Sequence, residues 1–263
     1  MARNKGKALV TGASSGIGAV YAERLAARGY DLILVARSTD RLASLSDRLT
    51  AETGRQVEVL RGDLTKPDDL ARVEARLSDD PAITLLVNNA GITLKSDLLS
   101  SSPADIEEII ALNVTAPTRL ATVAARAFAG RHDGTIVNIS SVLAVAPELF
   151  DGVYSGTKAY LLNLSSHLAG ALKGSGVHVQ VVLPGATRTE IWAKSGKDPE
   201  ALMPGMVMET GDLVDAALAG LDRGEVVTIP PLADEALWAA YDSARLALAP
   251  HLSRRDVAPR YRS

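Results

Sequence analysis

Two kinds of segment alternate along most of the chain, and that alternation constrains the fold more than any other feature. Short strand-like segments at 8–10, 32–35, 56–60, 83–87, 135–139, 177–183 and 226–229, most of them mainly apolar, lie close to small or turn-forming residues. Helix-length stretches at 19–28, 39–53, 66–78, 103–129, 153–173 and 210–222 separate them. A short unbroken apolar run reads as a strand buried on both faces. Strands alternating with helices imply a parallel sheet covered by helices on both sides. The stretch 66–78 shows the matching pattern, with Leu70, Val73 and Leu77 at helical spacing. No segment repeats and no low-complexity linker divides the chain, so one domain over 1–263 is expected. Its C-terminal tail, about 232–263, carries an amphipathic helix near Glu235 to Leu248 and ends in solvated arginines at 254, 255, 260 and 262.

Composition narrows the function. Of 263 residues 47% are hydrophobic but only 4% aromatic, which predicts an aliphatic core. The absence of cysteine excludes disulfides, thiolate chemistry and cysteine-held zinc. A net charge of −3 gives no electrostatic case for nucleic acid. No apolar run approaches the ~18 residues that span a bilayer, and the first residues enter a strand without an apolar signal segment. The expectation is a soluble, cytoplasmic protein with no membrane partner.

The first strand leads into Thr11-Gly12-Ala13-Ser14-Ser15-Gly16-Ile17-Gly18, a turn that opens a helix. Small residues there let backbone approach a pyrophosphate at the positive end of a helix, and Ser14 and Ser15 add hydroxyl donors. The second strand ends in Val35-Ala36-Arg37-Ser38, with no acid in place. Dinucleotide folds that use NAD put a carboxylate there for the ribose 2′-hydroxyl, whereas an arginine accommodates a 2′-phosphate. Arg37, with Ser38 as a second donor, therefore points to NADP(H). A solvated arginine at a helix start is the plainer alternative.

Farther along, Tyr154 and Lys158 stand four apart on a helix and share one face. An ammonium beside a phenol favours its ionised form, lowering a pKa that starts near ~10. Such a phenol can give or take a proton in a reaction. Ser141 lies thirteen residues upstream at the end of the fifth strand, and Asn88-Asn89-Ala90-Gly91 closes the fourth.

Together these motifs, in this order from about Lys7 to about Pro230, resemble the short-chain dehydrogenase/reductase family. The resemblance implies a doubly wound α/β Rossmann fold of about seven strands in the order 3-2-1-4-5-6-7. It implies that Ser141 polarises a substrate carbonyl, Tyr154 donates the proton, and Lys158 keeps Tyr154 acidic and binds the nicotinamide ribose. Asn113, at a helix kink before Pro117, would hold a proton-relay water. The family's T-G-x-x-x-G-x-G matches Gly12, Gly16, Ile17 and Gly18. Asp63 and Leu64 would bind adenine, and Asn89, Ala90 and Gly91 the adenosine side. Pro184, Gly185, Thr187 and Thr189 would cup the nicotinamide. Two departures stand out: Thr187 replaces an apolar residue, and Ser15 stands where some NADP-preferring relatives carry a base. The implied activity is reduction of an apolar ketone or aldehyde by NADPH. A catalytically silent NADP(H) sensor or scaffold is the alternative from another class, and an epimerase or dehydratase with a tightly kept cofactor a third reading. The stretch 187–208, with Ile191, Trp192, Met203, Met206 and Met208, suits an apolar lid over the substrate or an ordinary anchored loop. Relatives form dimers or tetramers through helices matching 103–129 and 153–173, where Ala124, Ala125, Leu161 and Leu168 are either contact surface or core.

Overall fold

A computed structural model describes residues 5–149, 151–190, 200 and 204–262. Seven strands form one sheet: β1 (Lys7–Thr11), β2 (Asp31–Ala36), β3 (Val57–Arg61), β4 (Ile83–Asn88), β5 (Gly134–Ile139), β6 (Val177–Val182) and β7 (Val227–Thr228). Their order is β3-β2-β1-β4-β5-β6-β7, all parallel, as expected. Each central strand is buried on both faces, because helices cover both.

Two apolar cores result. On one face Val10, Leu34, Val87 and Val137 pack with helices α1 (Gly16–Ala27) and α2 (Thr39–Thr53). On the other, Leu9, Ile33, Leu86 and Ile136 pack with α3 (Pro67–Asp79) and, reached through the short helix α4 (Pro103–Ile110), with α5 (Ala116–Arg131). Alternate residues of one strand thus serve opposite cores, which is the period of two that a strand imposes. Each buried leucine or isoleucine contributes about 1.5–3 kcal/mol, and these side chains supply most of the fold's stabilisation. The remaining helices of this unit are α6 (Gly152–Ala171) and α7 (Thr210–Asp222). Ala124, Ala125 and Leu161 are buried within the chain and Leu168 packs against the second core, so all four belong to core.

Between β1 and β4 the sheet reverses its direction of growth. That switch point opens a crevice beyond the C-terminal strand ends, where ligands bind in open α/β sheets. Chain contacts divide the molecule into two units, Met1–Pro230 and Pro231–Ser263. The second holds the expected tail helix, α8 (Glu235–Leu248), capped by Asp234, which accepts from the Ala236 amide. Among the described residues no helix is long and apolar enough to cross a membrane.

Three local boundaries differ from expectation for identifiable reasons. Helix α1 starts at Gly16, inside the glycine-rich turn. Helix α3 starts at Pro67 rather than at residue 66, with Lys66 in the cap position. The expected proline kink in the 103–129 helix is a π-helical turn, Ala111–Thr115, closed by the Ala116 amide on the Ala111 carbonyl. The wider turn lets the helical run continue from α4 into α5 past the proline.

Candidate active site

Close backbone packing shapes the turn after β1. Gly12 has φ +67° and Gly16 φ +55°, in the left-handed region that glycine enters freely. A Cβ on Gly12 would lie 2.8 Å from Asn89 Nδ2, and one on Gly18 only 2.4 Å from the Gly12 carbonyl oxygen. Asn89 is the strap that enforces this approach: its Nδ2 donates to the Thr11 and Gly12 carbonyls at 3.0 and 3.3 Å. Thr11 Oγ1 accepts from the Asn89 and Ala90 amides and donates to the Val87 carbonyl. Ser15 occupies the cap position of α1 with no side-chain bond to the helix, so the first amides face the turn without a side-chain cap. The shallow cradle and the open amides fit a pyrophosphate. Gly16 also faces Thr189, whose Cβ and Cγ2 lie 3.4 Å from where a Gly16 Cβ would stand. Ser14 and Ile17 sit partly buried in the same turn.

At the end of β2, Arg37 is largely exposed and only loosely paired, 3.9 Å from Glu108. Ser38 caps α2 by position but makes no side-chain capping bond. Asp63 makes a local turn contact, accepting from the Thr65 amide and hydroxyl at 3.1 and 2.8 Å. Burial pushes its carboxyl up, but the two Thr65 bonds and the charges of Arg37 and Lys66 hold it below the usual range. Leu64 beside it is buried.

The proton-handling candidates converge beyond β4 and β5. Asp151 caps α6, accepting from the Val153 and Tyr154 amides at 2.6 and 3.0 Å, and so fixes where Tyr154 enters the site. Tyr154 and Ser141 share a hydrogen bond. Ser141 also accepts from the Leu143 amide at 3.2 Å. Its neighbour Ser140 turns the other way and donates to the Lys158 carbonyl at 2.7 Å, tying β5 to α6. Lys158 Nζ donates to the Ile139 carbonyl at 2.9 Å and stands 5.6 Å from the centre of the Tyr154 ring.

Asn113, buried in the π turn, holds Ile92 on both sides of its backbone. Its Oδ1 accepts from the Ile92 amide at 3.0 Å, and its Nδ2 donates to the Ile92 carbonyl at 2.8 Å and to Thr157 Oγ1 at 3.2 Å. Gly91 closes the group: a Cβ there would lie 3.2 Å from Asn113 Oδ1 and 3.5 Å from Lys158 Nζ.

The electrostatics correct one sequence expectation. Burial pushes the Tyr154 phenol up to about 12, and the Ser141 hydrogen bond opposes this without reversing it. Burial also pushes Lys158 down to about 8. The spacing of Tyr154 and Lys158 places them together, but desolvation outweighs the expected depression of the phenol.

After β6, Pro184 is buried and Thr187 bridges to Met208, with the Arg188 amide on the Met208 carbonyl and the Met208 amide on that of Ala186. Thr187 Oγ1 donates to the Gly185 carbonyl, which accommodates a hydroxyl where an apolar side chain was expected. Ile191, Trp192 and Met203 of the expected lid lie outside the described residues. Met206 is exposed and Met208 packs on the core. Leu98 and Leu99, in the segment after β4, and Leu149, in the segment after β5, also expose large apolar side chains.

Sequence reasoning missed Asp151, Thr157 and the Thr11 hydroxyl that accepts from the Asn89 and Ala90 amides. Asp151, just ahead of a helix, carried a readable capping signal. Thr11 and Thr157 carried none, because their partners are distant in sequence.

A family model described as short chain dehydrogenase matches residues 6–200. A short-chain dehydrogenase from Sphingobium yanoikuyae, solved in complex with NADPH, is 50% identical with a TM-score of 0.94, covering 97% of this chain and 100% of that one. The bulky-bulky ketone specific alcohol dehydrogenase from Comamonas testosteroni is 45% identical with a TM-score of 0.91, covering 99% and 100%. Human 17-beta-hydroxysteroid dehydrogenase type 3 is 32% identical over 185 residues, 69% of this chain and 59% of that protein. The chain thus spans about six tenths of the length of that curated relative.

Proposed function

The chain belongs to the short-chain dehydrogenase/reductase family, and on that premise we propose that it uses NADP(H) to interconvert an apolar ketone or aldehyde and its alcohol. The observation that carries this reading is the hydrogen bond joining Ser141 to Tyr154, with Lys158 Nζ 5.6 Å from the phenol ring. Bound cofactor supplies or accepts the hydride. Ser141 donates to the substrate oxygen and orients it toward Tyr154. Tyr154 gives that oxygen its proton. A phenol with a pKa near 12 stays protonated at neutral pH and is ready to donate, which favours the reductive direction. Lys158, still mostly protonated at pH 7, stands where it can restore the proton and hold a ribose hydroxyl. Asn113 positions Ile92 and Thr157 around the lysine and organises the relay to solvent.

Arg37 and Ser38 support NADP(H), with Asp63 and Leu64 beside the adenine. Gly12, Ser14, Ser15, Gly16, Ile17 and Gly18 form the pyrophosphate wall, and Asn89, Ala90 and Gly91 the adenosine side. Pro184, Gly185, Thr187 and Thr189 flank the nicotinamide. The exposed Leu98, Leu99, Leu149 and Met206 suit a substrate with apolar groups on both sides of its carbonyl, in keeping with the 45% identical relative described as specific for bulky-bulky ketones. Tyr160 and Ile110 offer exposed apolar surface on α6 and α4 for a homodimer or homotetramer.

The test is NADPH consumption across a panel of aldehydes and small and bulky ketones, with NADH and Tyr154→Phe as controls. Turnover that disappears in Tyr154→Phe, with NADPH binding kept, is the expected result. Undiminished turnover in that variant refutes the assignment. Tight NADPH binding without turnover of any carbonyl or alcohol favours the silent binder.

A further inference from the structure

Two arginines stand at the junction of β2 and α2, and each is turned onto a carboxylate from another element. Arg37 reaches toward Glu108 of α4. Arg41 places Nη1 at 2.9 and 2.6 Å from Glu190 Oε1 and Oε2. Glu190 directly follows Thr189, which lies against Gly16 of the glycine-rich turn. The Arg41–Glu190 pair therefore joins the first turn of α2 to backbone that flanks the proposed pyrophosphate wall.

Neither partner is sealed, with side chains 53% and 43% exposed. Such a pair is readily exchanged, at a cost of about twofold to threefold in an equilibrium constant. Arg41 is the third residue of α2, near the positive end of the helix, where a cation gains from any anion offered. The Ser38 hydroxyl at the same junction makes no capping bond. A phosphate monoester carries more charge than a carboxylate and has three acceptor oxygens, so it competes well for a guanidinium.

We propose that Arg41 is a second ligand for the 2′-phosphate of NADP(H), beside Arg37 and Ser38, and that Glu190 holds it back. The phosphate replaces the Glu190 carboxylate on the guanidinium. Glu190 thereby weakens binding of the phosphorylated cofactor and leaves the unphosphorylated one unaffected. This inference rests on the NADP(H) reading above.

Isothermal titration of the full chain with adenosine 2′,5′-bisphosphate, 5′-AMP, NADP⁺ and NAD⁺ tests it without turnover. Glu190→Gln is expected to tighten the two 2′-phosphorylated ligands by about twofold to threefold and to leave NAD⁺ and 5′-AMP unchanged. Arg41→Ala is expected to weaken the bisphosphate roughly tenfold. In an Arg41→Ala background, Glu190→Gln is expected to have no effect. Tightening that persists in that background overturns the proposal, since it reports only the loss of a negative charge near an anion. Equal weakening of both dinucleotides by Glu190→Gln also overturns it, because the pair is then a clasp on the bound cofactor. No change with Glu190→Gln, while the parent chain still prefers 2′-phosphorylated ligands, removes the Glu190 role alone. A parent chain with no such preference removes the NADP(H) reading itself.

Discussion

Replacing Lys158 by methionine should stabilise the protein at neutral pH and abolish its turnover. The ammonium is buried, and its pKa falls from 10.5 to about 8 because of that burial. Such a fall corresponds to a penalty of ~3 kcal/mol on the folded state when the lysine is charged. Methionine keeps most of the apolar stem and removes the charge. It also removes the donor to the Ile139 carbonyl, 2.9 Å away, which costs about 1–2 kcal/mol. The net gain at pH 7 is about 1–2 kcal/mol, or roughly 2–8 °C in Tm for a chain of this size. The gain has a definite pH dependence. A base with a depressed folded pKa binds more protons unfolded than folded between the two values, so native stability rises from about pH 8 to about 10.5. Once the lysine is neutral in both states the penalty is gone and only the lost hydrogen bond remains. Lys158→Met should then be the less stable chain, with a crossover near pH 9. Tyr154, pushed up to about 12, erodes stability above pH 10 in both chains and largely cancels in the comparison. Urea titrations of the two proteins at pH 7, 8.5 and 10 measure the difference directly. A difference that stays constant across that range would show that burial does not depress Lys158, and the reasoning would fail.

Gly18→Ala puts a Cβ 2.4 Å from the Gly12 carbonyl oxygen and 2.5 Å from Asn89 Nδ2, so backbone must shift; a loss of about 1–3 kcal/mol by urea titration is expected. Gly156→Ala, in the interior of α6 with open space at the new methyl, should instead stabilise by about 0.5–1 kcal/mol, and destabilisation there would contradict the helix assignment. Ser141→Ala should remove turnover, whereas Ser140→Ala should cost only about 1 kcal/mol of stability and keep most activity; the reverse pattern would exchange their roles. Asp80 is pulled down to about 2, since bonds from Lys7, the Ala82 amide and Arg76 outweigh burial. Its contribution, on the order of 2 kcal/mol, is fully present above pH 3.8 and lost as pH falls through about 2, so the deficit of Asp80→Asn should shrink across that window in acid titrations.

The central strands β1, β2 and β4 were legible because burial on both faces leaves a nearly unbroken apolar run, and the strand order followed from a resemblance carried by motifs at the strand ends. Helix α2, bounded by Ser38 and Gly54, falls on the expected residues because both ends carry boundary signals. The π turn at Asn113 was not legible, since i→i+5 bonding leaves no periodic mark in five residues. The environment of Tyr154 was half legible. Spacing along one helix puts Lys158 beside it, but how far each is desolvated depends on β5 and on the segment after β4, which come from elsewhere in the chain.

What holds the candidate residues in place is a set of buried polar bonds between β4, β5 and α6. Asn88 of β4 donates to Asn138 Oδ1 of β5 at 2.9 Å, and Asn138 donates to Ser165 of α6 at 2.9 Å. Ser165 in turn donates to the Leu161 carbonyl within the helix. Ser140 and Lys158 add two further bonds between β5 and α6. Apolar packing alone would let a helix slide along a sheet at small cost, because leucine and valine surfaces are interchangeable. A buried amide that loses its partner costs about 1–3 kcal/mol, so each bond penalises any shift of α6 against β5. Slipping α6 by one residue would break the Ser165, Ser140 and Lys158 bonds together and rotate Tyr154 about 100° away from Ser141. The same bonds that fix the register of α6 therefore fix the geometry on which proton transfer depends. Asn138→Leu should separate the two roles of packing and register. It keeps the core filled, yet it should lower turnover more than its loss of stability alone accounts for, as measured by kcat well below the unfolding temperature.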